Sequence, residues 1–361
     1  MADNDNTISL IYILVTFVLM IIALCYYLYY SGLQSRECKT MTEVYGTLNG
    51  RIQSVDPSQA EYKYPLRDYY IKSAYNCCSG GSYRNDYVDI CSLKALLKQG
   101  VRGLDFEIFS IEDQPVVATS TGDSYYVKET FNYVAFADVL SVLANYAFAS
   151  STAPNPQDPI LIHLRIKSAN NKMFQNFAKL LESYYNLMMG PAYSFENNGK
   201  NFGLTPLADV MGKIVIIVDK SNTAFMECTD FYEYVNMTSN SVFMRALHYY
   251  DIQYTPDMYE LIEFNKQNMT IGMPDKGSNP ANPSSIVMRE MGCQMLAMRY
   301  QLIESNSEEN DILFDEAGHA FILKPEKLRY IPITVDAPEP QDPKLSYATR
   351  TIESDYYKFE I

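Results

Sequence analysis

The sequence predicts an α/β fold with a parallel sheet, of a length that suits a (β/α)8 TIM barrel, preceded by one transmembrane helix. Three observations carry this. Apolar strand-like runs alternate with helix-like segments over roughly 270 residues, the pattern of repeated strand–helix units. A 23-residue stretch from Ile8 to Tyr30 has no charged residue and no histidine. The run VRGLDFEIF (101–109) sets two acids at alternate positions of an otherwise strand-like segment.

The N-terminal stretch is long enough to cross a hydrocarbon core of roughly 30 Å with some tilt. Its tyrosines gather at the C-terminal end, where an aromatic belt belongs. The preceding MADNDNT is acidic, whereas a cleavable signal peptide starts basic and has a shorter apolar core. Residues 8–30 are therefore expected to anchor the chain in a lipid bilayer. Arg36 and Lys39 follow the span and nothing basic precedes it, which places the larger part on the cytoplasmic side. The seven cysteines, Cys25, Cys38, Cys77, Cys78, Cys91, Cys228 and Cys293, form no CxxC pair and fit reduced thiols facing a cytosol. Asn236-Met-Thr and Asn268-Met-Thr match the glycosylation triplet; if used, they reverse that orientation.

The domain plan follows in order. Residues 1–7 form a short N-terminal segment, 8–30 the span, 31–66 a polar stalk, 67–332 the barrel and 333–361 a tail that begins Pro-rich and extended. Expected strands are 68–75, 101–109, 114–120, 159–166, 213–219, 293–301 and 319–324. Expected helices include 91–99, 136–148 and 171–188. With 47% hydrophobic and 20% charged residues the chain can build a sizeable core. A formal net charge of −14 without a basic cluster argues against nucleic acid as a partner.

Alternate strand residues share a face, so Asp105 and Glu107 lie on one side of 101–109, about 7 Å apart. Such a pair repels unless a cation joins it. On PILIHLRI (159–166), His163 and Arg165 alternate with apolar residues and are expected on the same inner side. His163 reads as a hydrogen-bonded core residue, His319 as exposed in a turn, and Cys77-Cys78 as packing residues without a neighbouring base. The 31 tyrosines read mainly as core and interface material.

An ordered series of segments resembles the phosphoinositide-specific phospholipases C, through both the X-like half (67–220) and the Y-like half (240–332). YYIKSAYNCC (69–78) is similar to their first strand, KALLKQGVRGLDFEIF (94–109) to their second, and QPVVATS (114–120) to their "PV-x-x-His-Gly" strand. NYAFASS…PILIHLR (145–165) resembles "YAF…P-V-I-L-S-L-E", GCQMLAMRYQ (292–301) resembles "GCQ-MVAL-N-Q", and FILKPEKLR (321–329) resembles "YVLKP-x-x-LR". The resemblance implies a TIM barrel that cleaves inositol phospholipids with two histidines and a calcium ion.

Departures from the family pattern modify that expectation. Tyr75 and Thr119 stand where the two catalytic histidines belong. Neither side chain replaces imidazole near pH 7. Asn76, Asp105 and Glu107 match calcium-ligand positions, with the acid types exchanged, but the fourth ligand, a glutamate, is Arg165. The phosphate-binding lysines fall at Ile217 and Asp219, with Lys220 adjacent, and the Arg-x-Tyr-Pro segment reads Thr270-Ile-Gly-Met-Pro.

The expectation is thus a catalytically degenerate, membrane-anchored barrel in which Arg165 replaces the metal, so that no metal or other cofactor is needed. Pairing of the acids with Arg102 or a lysine, and a retained calcium, are the alternatives. The chain would act through protein partners, and the resemblance extends to phospholipase C-like proteins of large DNA viruses, implying a virion-membrane or capsid-associated role. An active phosphodiesterase with a rearranged site at His163, using calcium, is the competing reading. A non-cleaving binder of inositol headgroups is a third, weakened by the missing lysines and arginine.

Overall fold

The computed structural model describes residues 2–122, 124, 126–332, 345 and 347–361, with side chains from Ile8 onward. Eight parallel strands make a nearly closed barrel: β1 (Tyr69–Ala74), β2 (Gly103–Ile111), β5 (Ile160–Ile166), β6 (Ile214–Asp219), β7 (Met237–Ser239), β8 (Met244–His248), β9 (Met269–Met273) and β10 (Met295–Met298). Their order is β7-β6-β5-β2-β1-β10-β9-β8. The β7–β8 seam has no ladder among the described residues; the turn between them holds a Ser241 N–H to Met244 carbonyl bond of 3.0 Å.

Alternation along the strands divides the interior into two cores. Leu104, Phe106 and Ile108 of β2, with Ile160, Ile162 and Leu164 of β5, face outward and pack under the helices. Ile71, Leu161, Val215, Ile217 and Met295 fill the barrel itself. Asp105 and Glu107 share the inward side of β2, toward the C-terminal end of the strands. The barrel wall is crossed there in register, with Asp105 beside His163 and Glu107 beside Arg165. Gly103 is required lower down, because a Cβ there would overlap the Ser73 side chain on β1.

The expected helices are recovered, the first shifted by one residue and the third shortened by six. They are α3 (Ile90–Lys98), α4 (Phe136–Val142), which widens to a π-type turn over 143–147, and α5 (Asn171–Glu182). Asp89 caps α3 by accepting from the Cys91 N–H at 2.8 Å, and Asn170 caps α5 at 3.1 Å. The first of these caps fixes where the connection after β1 ends.

Several expectations are corrected. Segments 114–120 and 319–324 contain strands, but neither is a parallel stave. β3 (Gln114–Ala118) folds back antiparallel on β2 and pairs with β4 (Val134–Ala135), and β11 (Phe321–Leu323) lies antiparallel to β1. Three barrel strands, β7 to β9, lie in segments not expected to be strands; they are only three to five residues long and carry little β-branched character. Residues 31–66 are not a plain stalk. After α1 (Ala2–Ser31), α2 (Leu33–Tyr45) buries Met41 and Tyr45 on the barrel, and Ile52, Val55 and Tyr62 are buried beyond it. The thiols are not all free, because Cys38 of α2 is joined to Cys91 of α3. His319 is half-buried, with Nδ1 3.1 Å from the Gln53 carbonyl. Asn236 of the first glycosylation triplet is buried and its amide oxygen accepts from the Ile216 N–H at 2.8 Å, so it has a structural role.

The apolar face of α1 is exposed along the predicted span. Residues 331–361 form a second unit, in which β12 (Thr351–Glu353) and β13 (Lys358–Glu360) make an antiparallel hairpin. The Pro-rich start of the expected tail lies outside the described residues.

Between barrel and helices, Phe136, Phe177 and Phe231 form a ring-to-ring chain, with centroids 4.7 and 4.8 Å apart on either side of Phe177. Phe177→Ala should cost about 3–5 kcal/mol by leaving a cavity. Ile312→Ala, at an exposed helix position, should stay within about 0.5 kcal/mol. Denaturant unfolding of the two variants in detergent checks the difference.

Candidate functional site

The guanidinium of Arg165 occupies the middle of the barrel's C-terminal end. Its Nε donates to Asp105 Oδ1 at 3.0 Å and one terminal nitrogen to Asp105 Oδ2 at 2.8 Å. The same nitrogen also donates to Asn76 Oδ1 at 2.8 Å, and the other terminal nitrogen donates to Glu107 Oε1 at 2.5 Å. Planar, forked donors suit this arrangement as a lysine would not. Asn76 reaches it because its backbone turns at φ +48°, a left-handed conformation that Asn tolerates. The same residue's N–H donates to Asp105 Oδ2 at 3.2 Å.

The remaining carboxylate oxygens are also engaged. Ser120 donates its N–H and hydroxyl to Glu107 Oε2, at 2.7 and 2.9 Å. His163 Nδ1 lies 2.7 Å from Asp105 Oδ1 and its Nε2 2.8 Å from Ser239 Oγ. Facing an acceptor-only carboxylate, Nδ1 must carry the proton, which leaves Nε2 to accept from Ser239 when the ring is neutral. Burial pushes the Asp105 carboxyl up, but Arg165 and His163 more than reverse this and hold it well below the usual range. Glu107 goes the other way: burial raises it, and Arg165, Lys167 and Ser120 offset this only in part. Burial works against the charge of Arg165, yet Asp105, Tyr75 and Glu107 raise its pKa well above the ordinary value.

Above this ion cluster the aromatic rings continue. The Arg165 guanidinium lies 4.5 Å from the Tyr75 ring centroid, Tyr75 meets Tyr83 edge-on at 5.5 Å, and the Arg299 guanidinium lies 4.8 Å from Tyr83. Both tyrosines and both arginines are buried. Arg299 is pinned by the Pro280 carbonyl and by Asn279 Oδ1 at 2.7 Å. An Arg–Tyr–Tyr–Arg chain of contacts therefore fills the end of the barrel from within. A cleft of about 260 Å3 opens beside it, lined by Tyr126, Arg165, Lys167, Asp219, Ser221 and Asn222.

The expected residues thus divide into two groups. Tyr75, Asn76, Asp105, Glu107, His163 and Arg165 come together. Thr119 stands next to Ser120 but gives its hydroxyl to the Tyr83 carbonyl at 2.9 Å. Lys220 is elsewhere, paired with Glu196 at 2.9 Å. Arg102 also takes no part: it points outward to the Ala147 and Asn155 carbonyls. Cys77 and Cys78 are buried, and burial pushes both thiols up, which suits packing. Sequence reasoning missed Ser120, Ser239, Tyr83 and Arg299. Arg299 had a visible signal, since it replaces the asparagine of the "GCQ-MVAL-N-Q" segment.

Two chemistries can be weighed against this geometry. A calcium ion needs six to eight oxygens. Here all four carboxylate oxygens of Asp105 and Glu107, and Asn76 Oδ1, already accept hydrogen bonds, and a cationic side chain sits among them. These residues do not fit the metal. The Asp105–His163–Ser239 chain has the distances of a nucleophilic triad. All three residues are fully buried, however, Asp105 is shared with Arg165, and neither His163 nor Ser239 lines the adjoining cleft.

Comparison with known proteins agrees with the architecture. The family described as "Phosphatidylinositol-specific phospholipase C, X domain" matches residues 62–220. Among solved structures, PLC21 of L. pealei is 18% identical with a TM-score of 0.60, over 74% of this chain and 38% of its own. PLC21 of S. officinalis is 17% identical with a TM-score of 0.59, over 76% and 39%. The chain thus matches well under half the length of either. No curated protein sequence matches it. The barrel is of the phospholipase C-like phosphodiesterase type, and residues 62–220 are similar to the X domain of that family.

Removing Arg165 alone strands two buried carboxylates. Arg165→Met should cost about 3–5 kcal/mol, whereas combining it with Asp105→Asn and Glu107→Gln should recover most of the loss, because the neutral set leaves no unpaired charge. Chemical unfolding of the single and triple variants tests this coupling.

Proposed function

We propose that this phospholipase C-like barrel is a membrane-anchored, non-catalytic protein that works by binding or assembly. The observation that carries the reading is Arg165, whose positive charge lies among the groups that a catalytic cation would need. Further support comes from Tyr75 and Thr119. The Tyr75 phenol is pushed well above its ordinary value by burial and stays protonated, so it cannot serve as a base near neutral pH. Losing one acid–base partner costs roughly 10²–10⁴-fold, and both imidazole positions are changed here. The reading needs no metal. It takes residues 8–30 as the bilayer anchor and a protein as the partner, with a virion membrane as one setting to which the sequence resemblance points.

The Asp105–His163–Ser239 chain favours one second reading, an active diester hydrolase in which a rearrangement exposes His163. The full chain in vesicles containing phosphatidylinositol separates the two. No inositol phosphate should be released above background, with or without millimolar calcium. Turnover that disappears in His163→Ala would overturn the proposal and support the second reading. A serine-directed phosphonate should likewise leave Ser239 unlabelled.

A further inference from the structure

The connection between β1 and α3, residues 75–89, is held from two directions. On the barrel side it contributes Tyr75, Asn76 and Tyr83 to the filled mouth, and the Gly81 carbonyl accepts from Arg299 at 3.4 Å and Gln301 at 3.2 Å. On the other side it is gripped by the chain leaving the anchor. Tyr30, in the last turn of α1, meets Phe131 edge-on at 5.6 Å, and Phe131 meets Tyr87 at 5.2 Å. In α2, Gln34 donates to Asp89 Oδ2 at 2.6 Å, and Cys38 is bonded to Cys91 across 53 residues.

Glu37, beside Cys38, lies directly on the Gly80–Gly81 backbone. A Cβ on Gly81 would collide with both the Glu37 and the Asp86 carboxylates. Asp86 is itself held by the Ser82 and Tyr87 N–H groups, at 2.7 and 2.8 Å. A charged Glu37 this close to the Asp86 carboxylate is repelled, which favours the protonated form of Glu37. Burial, helped by the Asp86 hydrogen bond and charge and opposed by Arg36, pushes Glu37 up to about 8. Lys39, next along the helix, turns to Glu43 at 3.6 Å.

The cysteines differ in the same sense. Cys77, Cys78, Cys228 and Cys293 are buried, and Cys25 lies in the span. Cys38 and Cys91 are half-exposed at the aqueous end of the anchor, where a small thiol can reach them.

We infer that Cys38–Cys91 is a reversible redox clasp that, seated by the Glu37–Asp86 contact, locks the juxtamembrane helix α2 onto the β1–α3 connection of the barrel. Closing it removes two electrons and two protons from the two thiols. A small disulfide of the glutathione class accepts them and leaves as two thiols, through a mixed disulfide that the second cysteine resolves. With the clasp open, α2 is retained by Met41, Tyr45 and the protonated Glu37 seated beside Asp86. The inference does not depend on whether the barrel is catalytic.

The full chain in lipid nanodiscs tests it. After exposure to glutathione disulfide and denaturation, five of the seven cysteines should react with a maleimide, and all seven after reduction. Reduction should speed hydrogen exchange over residues 33–45 by about tenfold or more while β2 and β5 stay unchanged. The Cys38→Ser/Cys91→Ser variant should show the fast rate under oxidising conditions. Seven reactive thiols after oxidation, or exchange in α2 indifferent to reduction, would overturn the clasp.

The carboxyl contact is read in that double variant. Glu37 is raised in the folded state, so its contribution is full at low pH and lost as pH rises through about 8. Corrected for intrinsic exchange, protection of α2 should fall across that range, and Glu37→Gln should remove the fall. An unchanged profile in Glu37→Gln would refute the seating role.

Discussion

Arg165 is the constraint around which the barrel's C-terminal end is organised. Two carboxylates on one strand face cannot both stay ionised in a closed, apolar barrel without a cation between them. The guanidinium supplies that charge from the neighbouring strand, in register with Glu107, and spreads its donors over Asp105, Glu107 and Asn76. A fixed side-chain cation has consequences that a bound metal does not. It cannot leave, it exposes no open coordination position, and it presents a flat face on which Tyr75 stacks. The chain Arg165–Tyr75–Tyr83–Arg299 follows from that face. What is an open, metal-ready mouth in the expectation drawn from the family becomes here a packed polar core.

Much of this was legible in the sequence because strand periodicity is strict. Once 101–109 and 159–166 are strands of one parallel barrel, Asp105, Glu107, His163 and Arg165 must share the inner side. The outward run Leu104, Phe106 and Ile108 was legible for the same reason. The rest depended on geometry without a local signal. Ser239 lies on a three-residue strand whose sequence, MTS, has no periodicity to read. Tyr83 sits in a loop, and its place over Tyr75 is set by tertiary packing. The Cys38–Cys91 pair is separated by 53 residues, and spacing alone says nothing of such a bridge. α2 looked like a polar stalk because it buries only Met41 and Tyr45 along its length.

The two ends of the β1–α3 connection join what the sequence presents as separate parts. Its tyrosines belong to the filled mouth, and its glycines and Asp86 receive the helix that leaves the anchor. Gly81 shows the economy of this: its carbonyl is used by the barrel, while its missing side chain makes room for Glu37. A change at the anchor therefore has a short physical path to the mouth, through backbone and packed rings. That path is a contiguous set of contacts.

Arg165 neutralises Asp105 and Glu107 from within the chain. The most direct measurement is the melting temperature of the wild-type chain and of Arg165→Glu as calcium is raised from zero to millimolar. The wild type should not respond, because its acids are already neutralised. Arg165→Glu, with three clustered acids and Asn76, should start lower and gain several degrees, since a ligand that binds only the folded state stabilises it. A wild-type melting temperature that climbs with micromolar calcium would mean that these acids still hold a metal despite Arg165.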